Sequence, residues 1–228
     1  KLAGLREGAN IKAIAGRPNS GRMSLALQIV RNVSITDPAP RASIIVSSRF
    51  TEKSLTLRLL SSLSHINRES LISGIVSDYE HVELAKSLGK LAYAPVEVLC
   101  VKRFDKIFPA IMNSSLFTPN SPPPIIVVDP LPLRKEDELL SLLQEAKVFS
   151  LEHSAPIVLI WTTLKHSKMT TDIRDLGGDG HVEEYADSVF ILEQRGGDSS
   201  LTKLGLAKDP YGTGGGTDLL HVDREGRR

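Results

Sequence analysis

The sequence predicts an α/β fold with a mainly parallel central sheet, flanking helices and an antiparallel edge at its C-terminal end. Three observations support this prediction. Strand-like and helix-like runs alternate along most of the 228 residues, as in a parallel sheet with helical crossovers. Two central runs, Ile125–Asp129 and Ile157–Trp161, are almost entirely apolar, which is typical of strands covered on both faces. The last three strand-like runs are separated by glycine-rich turns, which favours antiparallel pairing.

Eight runs are predicted to be strands because they are short, rich in aliphatic residues and bounded by glycine, proline or polar residues. The first of them ends in a loop rich in glycine and proline. The fourth follows the proline run Ser121–Pro124, which would stop any preceding element. The expected strands are Asn10–Ala15, Ala42–Ser47, Val96–Val101, Ile125–Asp129, Ile157–Trp161, Ser188–Glu193, Leu201–Lys208 and Thr217–Val222.

Helices are predicted between the strands, where apolar residues recur every three to four positions. Leu55, Leu59 and Leu63 show this spacing and place one apolar stripe on a helix. The expected helices are Met23–Asn32, Thr51–Leu63, Phe104–Met112 and Lys135–His153, with two shorter helices within His65–Leu91.

Composition places the chain among ordinary globular proteins. It is 41% hydrophobic and 24% charged, and we expect residues 1–228 to form one domain. The net charge of +1 does not imply a polyanionic partner, although a local basic stripe can bind DNA on a nearly neutral protein. A single cysteine, Cys100, excludes an internal disulfide. No apolar run approaches the roughly 20 residues of a membrane span, and we expect a cytoplasmic protein without a membrane segment.

The first residue is Lys1 and not methionine. We therefore expect the sequence to be a fragment of a longer chain that carries a further N-terminal domain.

A glycine-bounded loop follows the first strand and leads into the first helix. The order strand, Gly-x-x-x-x-Gly and helix is that of a phosphate-binding loop, in which backbone N–H groups and the helix N-terminus face phosphate oxygens. An ordinary strand-to-helix turn is the alternative interpretation. The candidate nucleotide-binding residues are Gly16, Arg17, Pro18, Asn19, Ser20, Gly21, Arg22 and Met23.

The last two positions of this loop depart from the usual pattern. A phosphate-binding loop places a Lys on the β- and γ-phosphates and a Ser or Thr on Mg²⁺, and here these positions hold Arg22 and Met23. Arginine keeps the charge but is bulkier and forked. Methionine has no oxygen for a hard cation, and Ser24 comes one position too late.

A second candidate lies at the end of the strand Ile125–Asp129. A hydrophobic strand ending in a carboxylate has the form of a Walker-B element, which makes Asp129 a candidate catalytic residue and a possible Mg²⁺ ligand. The signal is weak alone, because many buried strands end in Asp, and it gains weight beside the loop.

The chain resembles the C-terminal motor domain of the DnaB family of replicative helicases over nearly its whole length. The Arg-Pro pair inside the loop, Arg17-Pro18, is similar to a distinctive feature of that family. Further similarity lies in the helix region Thr51–Ser61, in Asp175–Asp187, and in Leu206–Lys208, where the family carries residues that reach a neighbouring subunit's nucleotide. The resemblance implies a RecA-like P-loop NTPase fold and an ATP-dependent DNA helicase that uses ATP and Mg²⁺.

The same resemblance implies partners. The family forms rings around single-stranded DNA, so we expect a homo- or hetero-oligomeric ring in DNA replication, with primase, a loader or an active helicase as partners. The DNA-contacting loop of the family corresponds here to a segment whose basic residues are Lys165, Lys168 and Arg174. That segment has no aromatic stacking platform, and a solvated charged loop is the alternative interpretation.

Several positions of the family's catalytic machinery differ in this sequence. Arg49 stands where the family has its catalytic Glu, Thr163 where it has a polar Gln, and Pro210 where it has an arginine finger, although Lys208 is kept. An arginine finger can be worth several powers of ten in rate. We interpret the chain as a ring subunit whose ATP hydrolysis is impaired or lost. Nucleotide binding remains open, because Arg17, Arg22 and the loop amides carry groups that bind phosphate.

Two other functions stay open at this point. One is a non-catalytic RecA-fold scaffold or accessory protein of a replication complex, and the other is a divergent but active helicase. The histidines show no metal-ligand spacing, and no Gly-x-Gly-x-x-Gly follows a strand. An acidic cluster is interpreted as a solvated turn that ends at a buried edge, with a metal or partner site as the alternative; its members are Asp172, Asp175, Asp179, Glu183, Glu184 and Asp187.

Overall fold

The strands lie close to their expected positions. The computed structural model describes residues 10–118, 121–130, 136–163, 181–194, 201–209 and 217–221. The strands in this part of the chain are β1 (Ile11–Gly16), β2 (Ser43–Ser47), β3 (Val96–Cys100), β4 (Ile125–Asp129), β5 (Ile157–Thr162), β6 (Ser188–Gln194), β7 (Leu201–Lys208) and β8 (Thr217–His221).

These strands form one eight-stranded sheet in the order β3-β2-β4-β5-β1-β6-β7-β8. Across the sheet, all neighbours in the part β3-β2-β4-β5-β1-β6 are parallel. The remaining pairs, β6 with β7 and β7 with β8, are antiparallel. The predicted sheet, mainly parallel with an antiparallel C-terminal edge, is therefore confirmed.

Helices connect the parallel strands, as predicted. The first helix continues into a π-helical turn, Arg31–Ile35, and the fifth is preceded by a 3₁₀ turn, Phe104–Lys106. One of the two helices expected to be short within His65–Leu91 is 15 residues long, so that part of the prediction is wrong. The helices are α1 (Arg22–Val30), α2 (Glu52–Ser64), α3 (Arg68–Ser73), α4 (Asp78–Ala92), α5 (Ile107–Met112), α6 (Glu136–His153) and α7 (His181–Tyr185).

Side-chain caps fix the starts of α2, α3 and α4. Thr51 Oγ1 accepts a hydrogen bond from the Ser54 amide, and Asn67 Oδ1 accepts one from the Glu69 amide at the start of α3. Ser77 and Glu80 form a reciprocal capping box at α4. Each cap satisfies backbone donors that the first helical turn leaves unpaired.

The sheet separates two hydrophobic clusters. One contains Ile107 of α5 and Leu142 of α6 with apolar residues of the central strands. The other contains Leu27 of α1 and Leu55 of α2. Because both faces of the central strands are covered, β2 and β4 are buried along their whole length, which explains the consecutive aliphatic residues within each of them.

The carboxyl ends of the central strands meet at one edge of the sheet. The register aligns Ser47 at the end of β2 with Asp129 at the end of β4. It also aligns Gly16 at the end of β1 with Thr162 at the end of β5. Ligands of open α/β sheets bind at this edge, and the predicted loop and Asp129 both lie there.

In the part of the chain that the structure describes, no helix has both the length and the apolar character needed to cross a bilayer.

Candidate functional site

The loop between β1 and α1 is a tight, partly buried turn. The Ser20 amide donates to the Arg17 carbonyl at 3.1 Å, which closes a turn at the tip. Asn19 (φ 63°) and Gly21 (φ 94°) adopt left-handed backbone conformations, which Asn and Gly tolerate best. Arg17, Pro18 and Asn19 are exposed. The sequence thus forms a compact loop at the place where a phosphate-binding loop would lie.

Gly16 allows this loop to sit directly against β6. A Cβ atom at Gly16 would lie 2.5 Å from Ser20 Oγ and 2.6 Å from the Leu192 carbonyl oxygen, closer than such contacts normally approach. The Thr202 hydroxyl of β7 donates to the Ser20 carbonyl at 3.5 Å. The loop is therefore packed against the first strands of the antiparallel edge.

Ser20 carries a buried hydroxyl inside the loop. Its side chain is 1% exposed, and its Oγ has no hydrogen-bond partner among the described residues. Buried polar atoms without partners are uncommon and costly. This hydroxyl is a donor available to an acceptor in the loop.

Arg22, at the position of the phosphate-binding Lys, folds back onto the sheet. Its Nη1 donates to the Trp161 carbonyl and, at 2.7 Å, to the Thr162 hydroxyl. The side chain is buried, with 5% exposed. Burial lowers the pKa of Arg22 to about 10, with a further lowering by the nearby charge of Arg49 and a partial offset by Asp129. Its guanidinium thus bonds the end of β5 and does not extend along the loop.

Met23, at the position that holds Mg²⁺ in phosphate-binding loops, lies in the hydrophobic core. It packs in the same cluster as Ile14 and Leu27 and is 8% exposed. A thioether in this environment offers no oxygen to a cation.

Asp129 is buried at the end of β4 and already has partners. Its Oδ2 accepts a hydrogen bond from Ser47 Oγ at 2.9 Å, and its Oδ1 lies 3.8 Å from Arg49 Nη1. Burial raises the pKa of Asp129 above its ordinary value, and the Ser47 hydrogen bond and the charges of nearby arginines partly offset this rise. Arg49, which the sequence resemblance placed at the family's catalytic Glu position, thus forms an ion pair with Asp129.

Ser47 organises this ion pair. Besides donating to Asp129, its hydroxyl accepts hydrogen bonds from the Arg49 amide at 3.1 Å and the Phe50 amide at 3.0 Å. It therefore fixes the turn after β2 and sets the direction in which Arg49 leaves the strand.

Two arginines share the ring of Phe50. The guanidinium carbon of Arg58 lies 4.7 Å from the ring centre and that of Arg49 lies 5.6 Å from it, distances at which cations attract an aromatic face. Burial lowers the pKa of Arg58, with smaller effects from Arg68 (lowering) and Asp129 (raising). The guanidinium groups of Arg22, Arg49 and Arg58 thus all act on the Asp129 carboxylate. Positive charge therefore exceeds negative charge among these four residues.

These residues do not fit the Mg²⁺ ion that the resemblance implies. The α1 position that would supply a hydroxyl carries the buried Met23. Both oxygens of Asp129 face donors, Ser47 on one side and Arg49 on the other. A divalent cation beside Asp129 would be repelled by the Arg49 charge at short range.

The Lys208 side chain contacts α7 of its own chain. Its Nζ donates to the Glu183 carbonyl at 2.5 Å and the Ala186 carbonyl at 2.7 Å. A cation at a helix C-terminus satisfies carbonyl groups that the helix leaves unpaired. Because β7 pairs Lys208 with Val189 at the start of β6, this contact lies at the edge of the sheet opposite the loop.

Asp187 also lies at that opposite edge. Its Oδ2 accepts from the Ile11 amide at 2.7 Å and its Oδ1 from Lys147 Nζ at 3.1 Å. These bonds join the starts of β1 and β6 to α6. Asp187 therefore lies at an edge of the sheet as expected, but its side chain is 33% exposed and not buried.

Thr163 contributes a backbone contact, since its amide donates to the Gly16 carbonyl at 3.0 Å. Several predicted residues lie outside the described residues: the basic segment with Lys165, Lys168 and Arg174, the acidic Asp172, Asp175 and Asp179, and Pro210.

Sequence reasoning did not select Ser47, Phe50, Arg58 or Thr162 for the site. The register of the strands brings Ser47 to Asp129 and Thr162 to Gly16. The only signal for Ser47 was its place at the end of a buried strand, since parallel neighbours end at the same edge.

Comparisons with known proteins agree with this geometry. Residues 1–222 match the model of the DnaB-like helicase C terminal domain. The replicative DNA helicase DnaB of Buchnera aphidicola subsp. Baizongia pistaciae is 24% identical over 207 residues, which cover 84% of this chain and 44% of that protein. DnaB of Treponema pallidum is 24% identical over 227 residues, covering 96% and 51%. The chain thus spans about half the length of these curated relatives.

Solved structures show the same fold. The ATPase domain of G40P superposes with a TM-score of 0.83 at 17% identity, covering 96% of this chain and 84% of that chain. A DnaB-like replicative helicase, described with its interactions with primase, gives a TM-score of 0.82 at 16% identity, covering 96% and 57%. The RadB recombinase gives 0.60 at 14%, covering 96% and 90%. The predicted RecA-like fold is confirmed.

Proposed function

The chain belongs to the family of DnaB-like helicase C-terminal domains, and from this premise we propose that it is a ring subunit that acts in DNA replication and binds ATP with hydrolysis impaired or lost. The observation that carries the proposal is the ion pair between Arg49 and Asp129. Arg49 stands where the family has the acidic residue that orients a water molecule, and its positive charge compensates the negative charge of Asp129.

Hydrolysis of ATP needs charge stabilisation of the γ-phosphate, a held metal ion and an oriented water. Each of these has lost its usual residue. Arg22 bonds the end of β5, Met23 packs in the core, and Arg49 is cationic where the family has its Glu. An active helicase would need other residues to replace all three contributions.

The proposal that the chain binds nucleotide rests on the loop and on the arginines, and not on the residues that catalyse hydrolysis in the family. The loop keeps its glycines, its tight turn and the N-terminus of α1, and such loops attract phosphate. The excess of guanidinium groups around Asp129 favours a polyanionic ligand. Arg17 lies on the exposed part of the loop.

Turnover tests this proposal. We expect the chain to hydrolyse ATP with Mg²⁺ no faster than its Asp129→Asn variant, with or without single-stranded DNA. Robust Mg²⁺-dependent hydrolysis that Asp129→Asn abolishes would overturn the proposal and establish a divergent active helicase. A DnaB protein of the family, assayed in parallel, provides the positive control.

Calorimetry with a non-hydrolysable ATP analogue tests binding. Saturable heat supports a nucleotide-bound subunit. The second candidate is a RecA-fold scaffold that binds no nucleotide, and the hydrogen bond that holds Arg22 on Thr162 favours it. The absence of both binding heat and thermal stabilisation would support this candidate.

We propose that the chain assembles in a homo- or hetero-oligomeric ring, with primase, a loader or an active helicase as partners. The DnaB-like structure described with its primase interactions supports this. Light scattering with any N-terminal region restored measures assembly, and a strict monomer at high concentration would contradict it.

DNA binding is proposed for the basic segment. Replacing Lys165, Lys168 and Arg174 by Ala should weaken single-stranded DNA binding and flatten its salt dependence, because each cation releases counterions on binding phosphate. Fluorescence anisotropy at several salt concentrations measures both effects. An unchanged affinity and slope would mean that the segment is a solvated loop.

A further inference from the structure

We propose that the nucleotide site takes the phosphate chain of its ligand as a metal-free anion, with arginine charge in the place of Mg²⁺. This inference rests on the proposed nucleotide binding and adds the form in which the ligand is bound. The family's loop is built for a metal complex, whereas this one combines missing metal ligands with added cations.

The first step is that neither Met23 nor Asp129, the two positions from which metal ligands are expected, offers a free oxygen to a cation. The thioether of Met23 is buried in the core and does not reach the loop. Asp129 is bonded through Oδ2 to Ser47, and the Arg49 guanidinium stands before Oδ1. A hard cation needs oxygen ligands and several retained waters, and a cationic side chain occupies that position.

The second step is that Arg49 is positioned to reach a ligand. Its side chain is 28% exposed, and its Nη1 lies 3.8 Å from Asp129, well beyond the ~2.8 Å of a charge-assisted hydrogen bond. The Arg49 donors are therefore not consumed by the carboxylate. Asp129 keeps its hydrogen bond to Ser47 when Arg49 turns toward a phosphate, so the movement leaves no buried carboxylate without a donor.

The third step is a second cation at the same ring. Arg58 stacks on Phe50 beside Arg49, and its buried Nε has no acceptor in the described part of the chain. A planar guanidinium that lies on an aromatic face keeps its donors in the plane, where they can bond two phosphate oxygens at once.

The fourth step is the orphan hydroxyl of the loop. Ser20 Oγ is buried beside Gly16 and lacks a partner among the residues described. A phosphate oxygen held in the loop supplies the missing acceptor. This observation is independent of the arginines, and the proposed phosphate accounts for it.

Calorimetry on the native chain tests the inference directly. A non-hydrolysable ATP analogue is titrated once in EDTA and once in excess Mg²⁺ at matched ionic strength. We expect the affinity in EDTA to equal or exceed the affinity in Mg²⁺. Binding that is tighter by about tenfold or more with Mg²⁺ would overturn the inference and leave the proposed nucleotide binding intact. No binding under either condition would overturn both.

Variants identify the residue responsible. Arg49→Glu, which restores the family's acid, should weaken binding in EDTA by about tenfold or more, the factor expected for losing one charge-assisted contact. The control Lys90→Glu makes the same charge change on an exposed residue of α4. Lys90 lies near the end of α4 that leads into the amino end of β3, whereas the site lies at the carboxyl ends of the strands. This control should leave the affinity within about twofold.

Arg49→Gln is the second variant, because it removes the charge without adding an acid next to Asp129. A loss of EDTA affinity in Arg49→Gln with an unchanged circular-dichroism spectrum supports the inference. Unchanged affinity in a folded Arg49→Gln protein contradicts it.

Discussion

At the scale of single residues, Arg22 shows how a substitution that keeps the charge can change what the charge does. One terminal nitrogen of the guanidinium, Nη1, donates to both a carbonyl and a hydroxyl at the end of β5. The positive charge at this position therefore contributes to the attachment of α1 to the sheet.

Replacing Arg22 by Met tests this role. The variant keeps the apolar stem but removes both hydrogen bonds, and we expect the free energy of unfolding to fall by about 1–2 kcal/mol. Urea denaturation measures the change. The control Lys53→Met alters an exposed residue of α2 and should change stability by less than about 0.5 kcal/mol. An Arg22→Met variant as stable as the native chain would mean that burying the Arg22 charge costs as much as its bonds contribute.

Asp129 leads to a prediction about pH. Its folded pKa is raised above the ordinary 3.8, chiefly by burial, so above pH 3.8 the folded state keeps a proton that the unfolded state has released. Stability from this group therefore falls as pH rises through that window, and levels off above the folded pKa.

The measurement is the free energy of unfolding of the native chain minus that of Asp129→Asn between about pH 4 and pH 7. The difference should decrease with rising pH. A difference that increases would show that the arginine charges outweigh burial and lower the pKa of Asp129.

The sequence identifies these residues as departures from a pattern but not their new contacts. Arg22, Met23 and Arg49 were recognised by position alone. The contacts that these side chains make depend on which strand ends lie beside the loop and on which face of α1 packs against the sheet. Both are properties of the folded sheet and not of the local sequence. Ser47 illustrates the limit, since its bond to Asp129 spans 82 positions of sequence.

At the scale of elements, the loop after β1 depends on a missing side chain. Gly16 lies against the Leu192 carbonyl and Ser20, and the backbone of β6 cannot move away without breaking its pairing with β1. The glycine was predicted for phosphate approach, and the structure adds a second reason, the seating of the loop on β6.

Gly16→Ala should therefore lower the free energy of unfolding by about 1–3 kcal/mol, as overpacking does. Gly89→Ala is the matched control, because nothing lies within 4 Å of a Cβ at this position of α4. It should raise stability by about 0.5–1 kcal/mol, since Ala is the better helix former. Thermal or urea unfolding of both variants checks the two signs. A neutral Gly16→Ala would contradict the close packing of the loop.

Most elements could be predicted because their patterns are local. The strands β2 and β4 each contain three or more consecutive aliphatic residues, and α2 has one apolar stripe. The short helix α7 was not predicted, because five residues carry too little periodicity. Its stability comes from Lys208, Val182 in the core and packing on α6, none of which a local pattern reveals.

At the scale of the whole molecule, the antiparallel edge connects the loop to the far side of the sheet. Thr202 at one end of β7 contacts the loop, and Lys208 at the other end holds α7. The resemblance assigned Lys208 to a neighbouring subunit's nucleotide, and in this structure its ammonium bonds carbonyls of its own chain.

Lys208→Met separates these two roles. If the bonds to α7 stabilise the fold, the dilute chain should lose about 1–2 kcal/mol of unfolding free energy, measured by urea denaturation at low concentration. The control Lys90→Met, on an exposed residue of α4, should change stability by less than about 0.5 kcal/mol. A stable Lys208→Met chain that assembles poorly would assign Lys208 to the neighbouring subunit alone.

The alternation of strands and helices was enough to predict the parallel sheet, and the glycine-rich turns were enough for its antiparallel edge. The order of the strands was not predicted, because it depends on which crossovers pass over which neighbours. That order places β1 between β5 and β6, and so decides that Arg22 meets Thr162 and that the loop meets Leu192.

The ion pair between Arg49 and Asp129 also makes the substitutions hard to reverse one at a time. Restoring an acid at position 49 alone would place a second negative charge beside a buried carboxylate whose pKa is already raised. Restoring a hydroxyl at position 23 alone would remove a methionine from a packed core. Each of these two single steps back toward the family pattern is therefore expected to lower the stability of the fold.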